Sequence, residues 1–328
     1  MASVNESFLR PQLLDRKERL ERALATAPGE TELTDLLASV DAALARMDDG
    51  SFGLCRTCHD PIEADRLLAD PLLEFCLDHL TAAQQRALQE DLERAARIQR
   101  GLLPDANLVV PGWEVSYRYL PAGAVSGDYC DLVRPEGDGG SLYFMFGDVS
   151  GKGVAAAILM SQLRAIFRGL LGAERAVERL VGDANRLFRE TALSPYFATL
   201  VCGHATPAGD LELCNAGHCP PLLLGGGGAS PVDPTGFPLG VFYAASYRST
   251  RLTLRPGESL VLYTDGLTEA NDHAGLEYGV DRLVGVLLGV RDRAPRDIAA
   301  ACLADLTTFL AGAPRTDDIT LMVVRRTG

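Results

Sequence analysis

Apolar positions recur every three to four residues in two blocks near the N-terminus. Leu9, Leu13, Leu14, Leu20 and Ala23 form one set, and Leu33, Leu36, Leu37, Val40, Ala43 and Leu44 the other, with the breaker APGE at 27–30 between them. This periodicity predicts a short antiparallel helical hairpin over residues 5–48. Another helix is predicted over 80–103, where Leu88, Leu92, Ala95, Gln99 and Leu102 step 4, 3, 4, 3. That spacing suits a two-heptad pairing seam, or equally a helix packed by one side on its own domain. From residue 111 the period changes. Apolar, β-branched or aromatic runs fall at 113–119, 128–134, 141–149, 197–204, 210–216, 249–254, 258–264 and 319–325. EGDGG (136–140), PAGD (207–210) and RPGE (255–258) read as turns between them. Two helices split near Gly172 occupy 153–191, and a further helical region runs from about 279 to 311. Strand runs with helical blocks between them predict a layered α+β domain. GGGG at 225–228 reads as a loop.

Composition narrows the function classes. The chain has 328 residues, 47% of them hydrophobic, enough for one or two cores and too apolar for a mainly disordered chain. Acidic residues outnumber basic ones 44 to 31, giving a net charge of −13. The only lysines are Lys17 and Lys152. This balance argues against direct nucleic-acid binding and against a polybasic membrane contact. No apolar run approaches the roughly 20 residues that span a bilayer, and the first 20 residues lack the apolar centre of a secretory signal. A cytoplasmic location is expected, so the eight cysteines are ligands or core filler and not a disulfide framework.

The aspartates carry the sharpest signal. SLYFMFGDVSGKG runs an apolar strand into Asp148, and ESLVLYTDGLTEA does the same into Asp265. Asp128 opens the strand in PAGAVSGDYCDLV, and Asp317 and Asp318 open the one in PRTDDITLMVV. In an antiparallel sheet the end of one strand lies beside the start of its neighbour, so these acids can gather on one edge. Asp138 lies midway between Asp128 and Asp148, so a symmetrical hairpin places the two directly opposite, about 5 Å apart at Cα. Opposed carboxylates repel, and a hard divalent cation with oxygen ligands removes the objection. Ordinary turn chemistry explains any one of these acids alone; it explains the set poorly.

Other motifs fail. GDVSGKG lacks the glycine spacing and the Ser/Thr after Lys152 of a Walker A loop, and no G-x-S-x-G elbow is present. Cys214, His218 and Cys219 in CNAGHCPP fit a turn with a locally bonded histidine better than a metal site.

The ordered segments IQRGLLP, PAGAVSGDYCD, GDVSGKGVAAAILM, YFATL, NAGHCPPLLL, LYTDGLTEA and TDDITLMVV resemble the SpoIIE/RsbU branch of the metal-dependent type 2C protein phosphatases. The resemblance implies a four-layer α-β-β-α sandwich of two antiparallel sheets with two Mn²⁺ or Mg²⁺ ions at one edge. It implies hydrolysis of phosphoserine or phosphothreonine on a protein through metal-activated water. By motif, Asp148 would bridge both ions, with the backbone carbonyl of Val149 as a further ligand. Asp128 would serve one ion, Asp265 and Asp317 the other, and Asp318 would ligate or only orient. Ser126 and Cys130 replace a Gly and a Tyr of the family pattern. A left-handed backbone at Ser126 would cost about 1 kcal/mol.

Cys55 and Cys58 are separated by two residues, as are Cys76 and His79, with 17 residues between the pairs. This is a zinc-ribbon spacing, and S₃N donors suit one structural Zn²⁺; buried unliganded cysteines are the alternative. His59 is a spare donor expected to face solvent. Residues 32–80 resemble the DksA/TraR zinc-finger family, with His79 in place of the usual last Cys. The tip near TAPGETELTD does not reproduce the acidic pattern of polymerase-binding members.

The expected organisation is a helical hairpin with a zinc module over 1–80, a linker helix over 81–104 and a phosphatase domain over 105–328. The substrate implied by the resemblance is a phosphorylated anti-sigma-factor antagonist, with the zinc module as regulator and the 80–103 helices pairing a homodimer. The rival is a transcription-associated DksA/TraR-type binding protein carrying a degenerate phosphatase fold.

Overall fold

A computed structural model describes residues 2–26, 31–80, 82–135, 139–171, 176–191 and 196–328. The break at 27–30, the loop centre Asp138 and the helix split at Gly172 lie outside these residues. The chain divides into two compact units, Met1–Asp91 and Leu92–Gly328.

In the first unit, α1 (Ala2–Thr26) and α2 (Thr31–Asp49) form the expected hairpin. Leu9, Leu13 and Leu20 of α1 meet Val40, Ala43, Leu44 and Met47 of α2, the faces that the periodicity selected. Arg10 pairs with Asp48 at 2.5 Å and Lys17 with Asp41 at 2.6 Å, fixing the antiparallel register on the wet side. Phe52, Cys55, Ile62, Cys76, and Leu67 of α3 (Ala64–Ala69) complete the same core. The long helix α4 (Ala82–Leu102) contains the boundary between the units. No described helix is long and apolar enough to cross a membrane.

The second unit holds two sheets. One has the order β1 (Asn107–Val110), β2 (Trp113–Leu120), β11 (Ile319–Arg326), β10 (Ser259–Tyr263), β7 (Leu222–Gly225), β8 (Gly228–Pro231). The other has the order β3 (Asp128–Val133), β4 (Leu142–Val149), β5 (Ala198–Ala205), β6 (Asp210–Ala216), β9 (Thr250–Thr253). Every pairing between these strands is antiparallel. Helices α5 (Val154–Leu170) and α6 (Val177–Thr191) cover the β3–β9 sheet, and α8 (Val280–Val290) and α9 (Pro295–Leu310) the other. The result is a four-layer α-β-β-α sandwich of two antiparallel sheets, as the resemblance implied.

β4 is apolar without interruption from Leu142 to Phe146, before Gly147 and Asp148. Leu142, Phe144 and Phe146 point between the sheets, while Tyr143, Met145 and Val149 point to the helices. Side chains alternate across a strand, so a strand covered on both faces must be apolar at every step. All eight expected strands are present. Three others gave too little signal: β1 and the β7–β8 hairpin are four residues each, and β8 (GASP) lacks β-branched residues and ends on an edge proline. The glycine loop is the tight turn of that hairpin, with Gly225 paired to Gly228.

Inside the sandwich, the Phe144 ring covers Gly203 of β5; a Cβ at Gly203 would fall 2.1 Å from the ring. Phe144→Ala is expected to cost about 3–5 kcal/mol in urea unfolding. Gly203→Ala should destabilise the native chain, yet cost much less in the Phe144→Ala background, and a double-mutant cycle reads that coupling.

Candidate metal centre

β3 and β4 pair with Asp128 directly opposite Asp148, the register that the symmetrical hairpin requires. Strand alternation turns Asp128 toward the space between the sheets, where two residues of the opposite sheet meet it. Thr264, just after β10, donates its hydroxyl to Asp128 Oδ2 at 3.2 Å, and Thr320 of β11 donates to the same oxygen. Thr264 Oγ1 also accepts the Thr320 N–H at 2.9 Å. Asp265 follows Thr264 and opens the single turn α7 (Asp265–Thr268). Asp317 and Asp318 precede β11. One edge of the sandwich thus receives Asp128 and Asp148 from one sheet and Asp265, Asp317 and Asp318 from the other.

The electrostatics match this crowding. Burial, then the charge of Asp148, holds the Asp128 carboxyl well above the usual carboxylate range, against the pull of the two threonine hydroxyls. Asp148 is pushed up to about 7 by burial and then by Asp265, Asp317 and Asp318. Asp265 is raised by burial and by Asp317. Oxygen donors that repel one another in a half-buried place are the set a hard divalent cation takes. The backbone fits as well: a Cβ on Gly127 would lie 2.8 Å from the Val149 carbonyl and 3.1 Å from Asp148 Oδ1. Gly127 therefore leaves that carbonyl and carboxylate open.

The other acidic-edge residues divide by contact. Asp318 is buried and spends both oxygens on backbone, accepting from Ala122 N–H at 2.7 Å and Gly127 N–H at 3.0 Å. That geometry suits an orienting residue. Asp317 is half-exposed and pairs with Lys152 at 2.9 Å; Lys152 also donates to the Thr316 carbonyl at 2.6 Å. Ser126 does not adopt the left-handed backbone that would strain it; its hydroxyl accepts the Asp128 N–H at 3.1 Å. His218 is buried and locally bonded. Its Nε2 donates to the Tyr263 carbonyl at 3.1 Å, leaving Nδ1 to accept from Thr199 Oγ1 at 2.8 Å, and burial holds it down at about 4, neutral. Sequence reasoning missed Thr264 and Thr320. Thr264 lies one residue before Asp265 and Thr320 two residues after Asp318, both on the inward side, but nothing local in the sequence ties either to Asp128.

In the first unit, donor atoms of Cys55, Cys58, Cys76 and His79 all lie within 4.8 Å of one another. Cys58 Sγ is 3.8 Å from Cys76 Sγ, which is 3.3 Å from His79 Nδ1. Burial would raise the Cys55 thiol, but the N–H groups of Cys58, Cys76 and Thr57 outweigh it and bring the group to about 6. Thiolate character of this kind is what a soft metal requires. His59 is exposed and outside the cluster, and the chain turns there through a φ of 62°.

Fold and acidic edge together define a PP2C-type domain. The chain belongs to the Stage II sporulation protein E (SpoIIE) family, which matches residues 138–327. It is 28% identical over 265 residues to Protein IcfG of Synechocystis, covering 72% of this chain and 41% of that one. It is 24% identical over 194 residues to phosphoserine phosphatase RsbU of Bacillus subtilis, covering 58% and 57%. The chain thus spans about half the length of the curated relatives it matches. The RsbU and RsbW domains of Rv1364c from Mycobacterium tuberculosis superpose with a TM-score of 0.57 at 32% identity, over 69% of this chain and 62% of that one. The catalytic domain of the phosphatase PstP, solved with 2 manganese ions, shares the fold at a TM-score of 0.50 and 14% identity, over 67% and 99%.

The raised Asp148 pKa has a stability consequence. A carboxyl with a pKa of about 7 when folded, against about 3.9 unfolded, binds extra protons in the native state between those values. Its contribution is fully present below about pH 4 and lost as pH rises through 7. In chelator, Asp148→Asn should therefore be more stable than the native chain at pH 8, by on the order of 1 kcal/mol. The difference should shrink as thermal melts are moved down to pH 4.

Proposed function

We propose that the Leu92–Gly328 unit is a metal-dependent protein serine/threonine phosphatase that removes phosphate from phosphoserine or phosphothreonine on a protein. The observation that carries this reading is the convergence of Asp128, Asp148, Asp265 and Asp317 on one sandwich edge, with the Asp128, Asp148 and Asp265 carboxyls raised by burial and by neighbouring acids. Two Mn²⁺ or Mg²⁺ ions are the cofactors that donor set accepts; bound, they supply Lewis-acid activation of water and neutralise charge on the phosphoryl oxygens. Asp148 would serve both ions, with the Val149 carbonyl as a further ligand, Asp128 one of them, and Asp265 and Asp317 the other. Asp318 positions the 122–127 backbone. Thr264 and Thr320 keep Asp128 in its inward rotamer. Kinship to a phosphoserine phosphatase supports the reaction class. In the family's setting the substrate is a phosphorylated anti-sigma-factor antagonist of a partner-switching pathway.

The same reading gives the first unit one structural Zn²⁺ at Cys55, Cys58, Cys76 and His79 and a regulatory role, and makes the protein a cytoplasmic homodimer. The seam positions Ala95 and Gln99 do not serve that pairing, because Gln99 is buried inside its own unit and Ala95 packs against Ala96, Val125 and Ala157 there; Leu88, 45% exposed, remains available. Light scattering on the full chain tests the dimer. The rival reading, a transcription-associated binding protein with a degenerate phosphatase fold, requires lost ligands, and all four acids are retained.

Phosphate release from a phosphoserine protein substrate should need added Mn²⁺ or Mg²⁺ and stop in excess chelator. Asp148→Asn and Asp265→Asn should each lower turnover at least 100-fold with the fold intact by circular dichroism. Turnover undiminished by chelator, or an active Asp148→Asn chain, refutes the reading.

The full chain, purified without chelator, should carry one equivalent of zinc by elemental analysis, and Cys55→Ser or His79→Ala should hold less than about half of that. Equal zinc content in the native chain and both variants removes the site.

A further inference from the structure

The segment that delivers Asp128 is the loop 121–127, which meets β4 at its end, where the Gly127 carbonyl accepts the Val149 N–H at 3.3 Å. Side chains grip its backbone as well. Asp318 takes the N–H groups of Ala122 and Gly127. Gln99 of α4 takes both sides of Ser126: Ser126 N–H donates to Oε1 at 3.0 Å, and Nε2 donates to the Ser126 carbonyl at 2.7 Å. A glutamine side chain carries one carbonyl and one NH₂, so this contact reproduces the two-bond exchange of an antiparallel ladder. Gln99 is 5% exposed and Ser126 fully buried, and Ala96, Val125 and Ala157 pack beside them. Away from water, the peptide groups of Ser126 lose partners outright if Gln99 is removed.

The grip has a load to bear. Asp128 and Asp148 stand opposite each other and repel, so the strand carrying Asp128 is pushed away from its neighbour where the ligands lie. Ser126 passes restraint directly to Asp128 through the hydrogen bond from Asp128 N–H to Ser126 Oγ. Three successive N–H groups, of Ser126, Gly127 and Asp128, thus each meet a side-chain acceptor: Gln99, Asp318 and Ser126.

We propose that Gln99 is a positioning residue of the metal centre: its side-chain amide pins the Ser126 peptide so that Asp128 faces Asp148 at the separation a cation needs. The proposal rests on the reading of the acidic edge as a divalent-metal site. In Gln99→Leu, the unpaired Ser126 peptide is relieved only by moving the loop toward water, and Asp128 moves with it.

The test is calorimetric titration of Mn²⁺ into the full chain, beside turnover. Gln99→Leu is expected to bind Mn²⁺ at least 10-fold more weakly than the native chain, about 1.4 kcal/mol. Its turnover should fall at limiting Mn²⁺ and recover at high Mn²⁺, with the KM for the phosphoprotein unchanged. Ile98→Ala, at the exposed neighbouring position, should bind as the native chain does. Gln99→Glu keeps the acceptor for Ser126 N–H but sets an oxygen against the Ser126 carbonyl. It should also bind at least 10-fold more weakly, and stands in if the Leu variant does not fold. Native Mn²⁺ affinity in either folded variant overturns the proposal. So does loss of the fold in both, which would make Gln99 a stability residue alone. A native chain that binds no Mn²⁺ overturns the metal reading itself, a separate result.

Discussion

Like charges held together at the open edge of a rigid sandwich are the constraint on which the rest of the second unit depends. Asp128 and Asp148 cannot retreat, because each is tied to a strand whose other residues fill two cores. Leu142, Phe144 and Phe146 lock β4 between the sheets, and Tyr143 and Met145 lock it under the helices. Interiors packed to crystal-like density do not deform to relieve a local repulsion. The repulsion is met by hydrogen bonds instead. Thr264 and Thr320 reach across from the opposite sheet to one oxygen of Asp128, so the same contacts that steady that carboxyl also staple the two sheets at their open end.

Those two threonines mark the limit of what could be read in the sequence. The strands that end or begin in aspartate were legible because an apolar run stopping on a carboxylate is unusual, and the register of β3 on β4 followed from the symmetry of their loop. Each of those readings is local or depends on a single turn. The contacts from Thr264 and Thr320 to Asp128 join residues 136 and 192 positions apart, and no periodicity in one strand reports which strand of another sheet lies above it. The short strands β1, β7 and β8 were missed for a different reason: β1 and β8 occupy sheet edges, where few side chains are buried and apolar alternation fades, and β7, though inside the sheet, is only four residues long. Gln99 shows a third kind of limit. The 4-3 spacing marked the correct face of α4, but spacing alone does not distinguish a second copy from the helix's own domain as the surface that covers it.

The first unit is a different physical problem. Its core is one small cluster drawn from two helices and the 50–80 segment, in which the described helices are the short α3 and a 3₁₀ turn at Leu77–His79. Chains of this size gain little from burial alone. Cys55 and Cys76 are themselves core residues, so a metal held by them would tie the segment to the hairpin from the inside. The N–H groups of Thr57, Cys58 and Cys76 directed at Cys55 favour the thiolate before any ion arrives, and a negative sulfur in that core is tolerable only with a cation beside it.

The two sites therefore invert each other's logic. At the acidic edge, side chains drawn from both sheets are already fixed by the fold, and a cation relieves a strain that the fold imposes. In the cysteine segment the candidate donors lie on loops and short turns, and a cation would tie those turns to one another. The first arrangement suits chemistry, because ligands that stay in place without the ion leave its reactive side unspent on folding. The second suits structure, because binding and folding are one event. Each site thus takes its character less from the identity of its donors than from how much of their geometry the surrounding core has fixed beforehand.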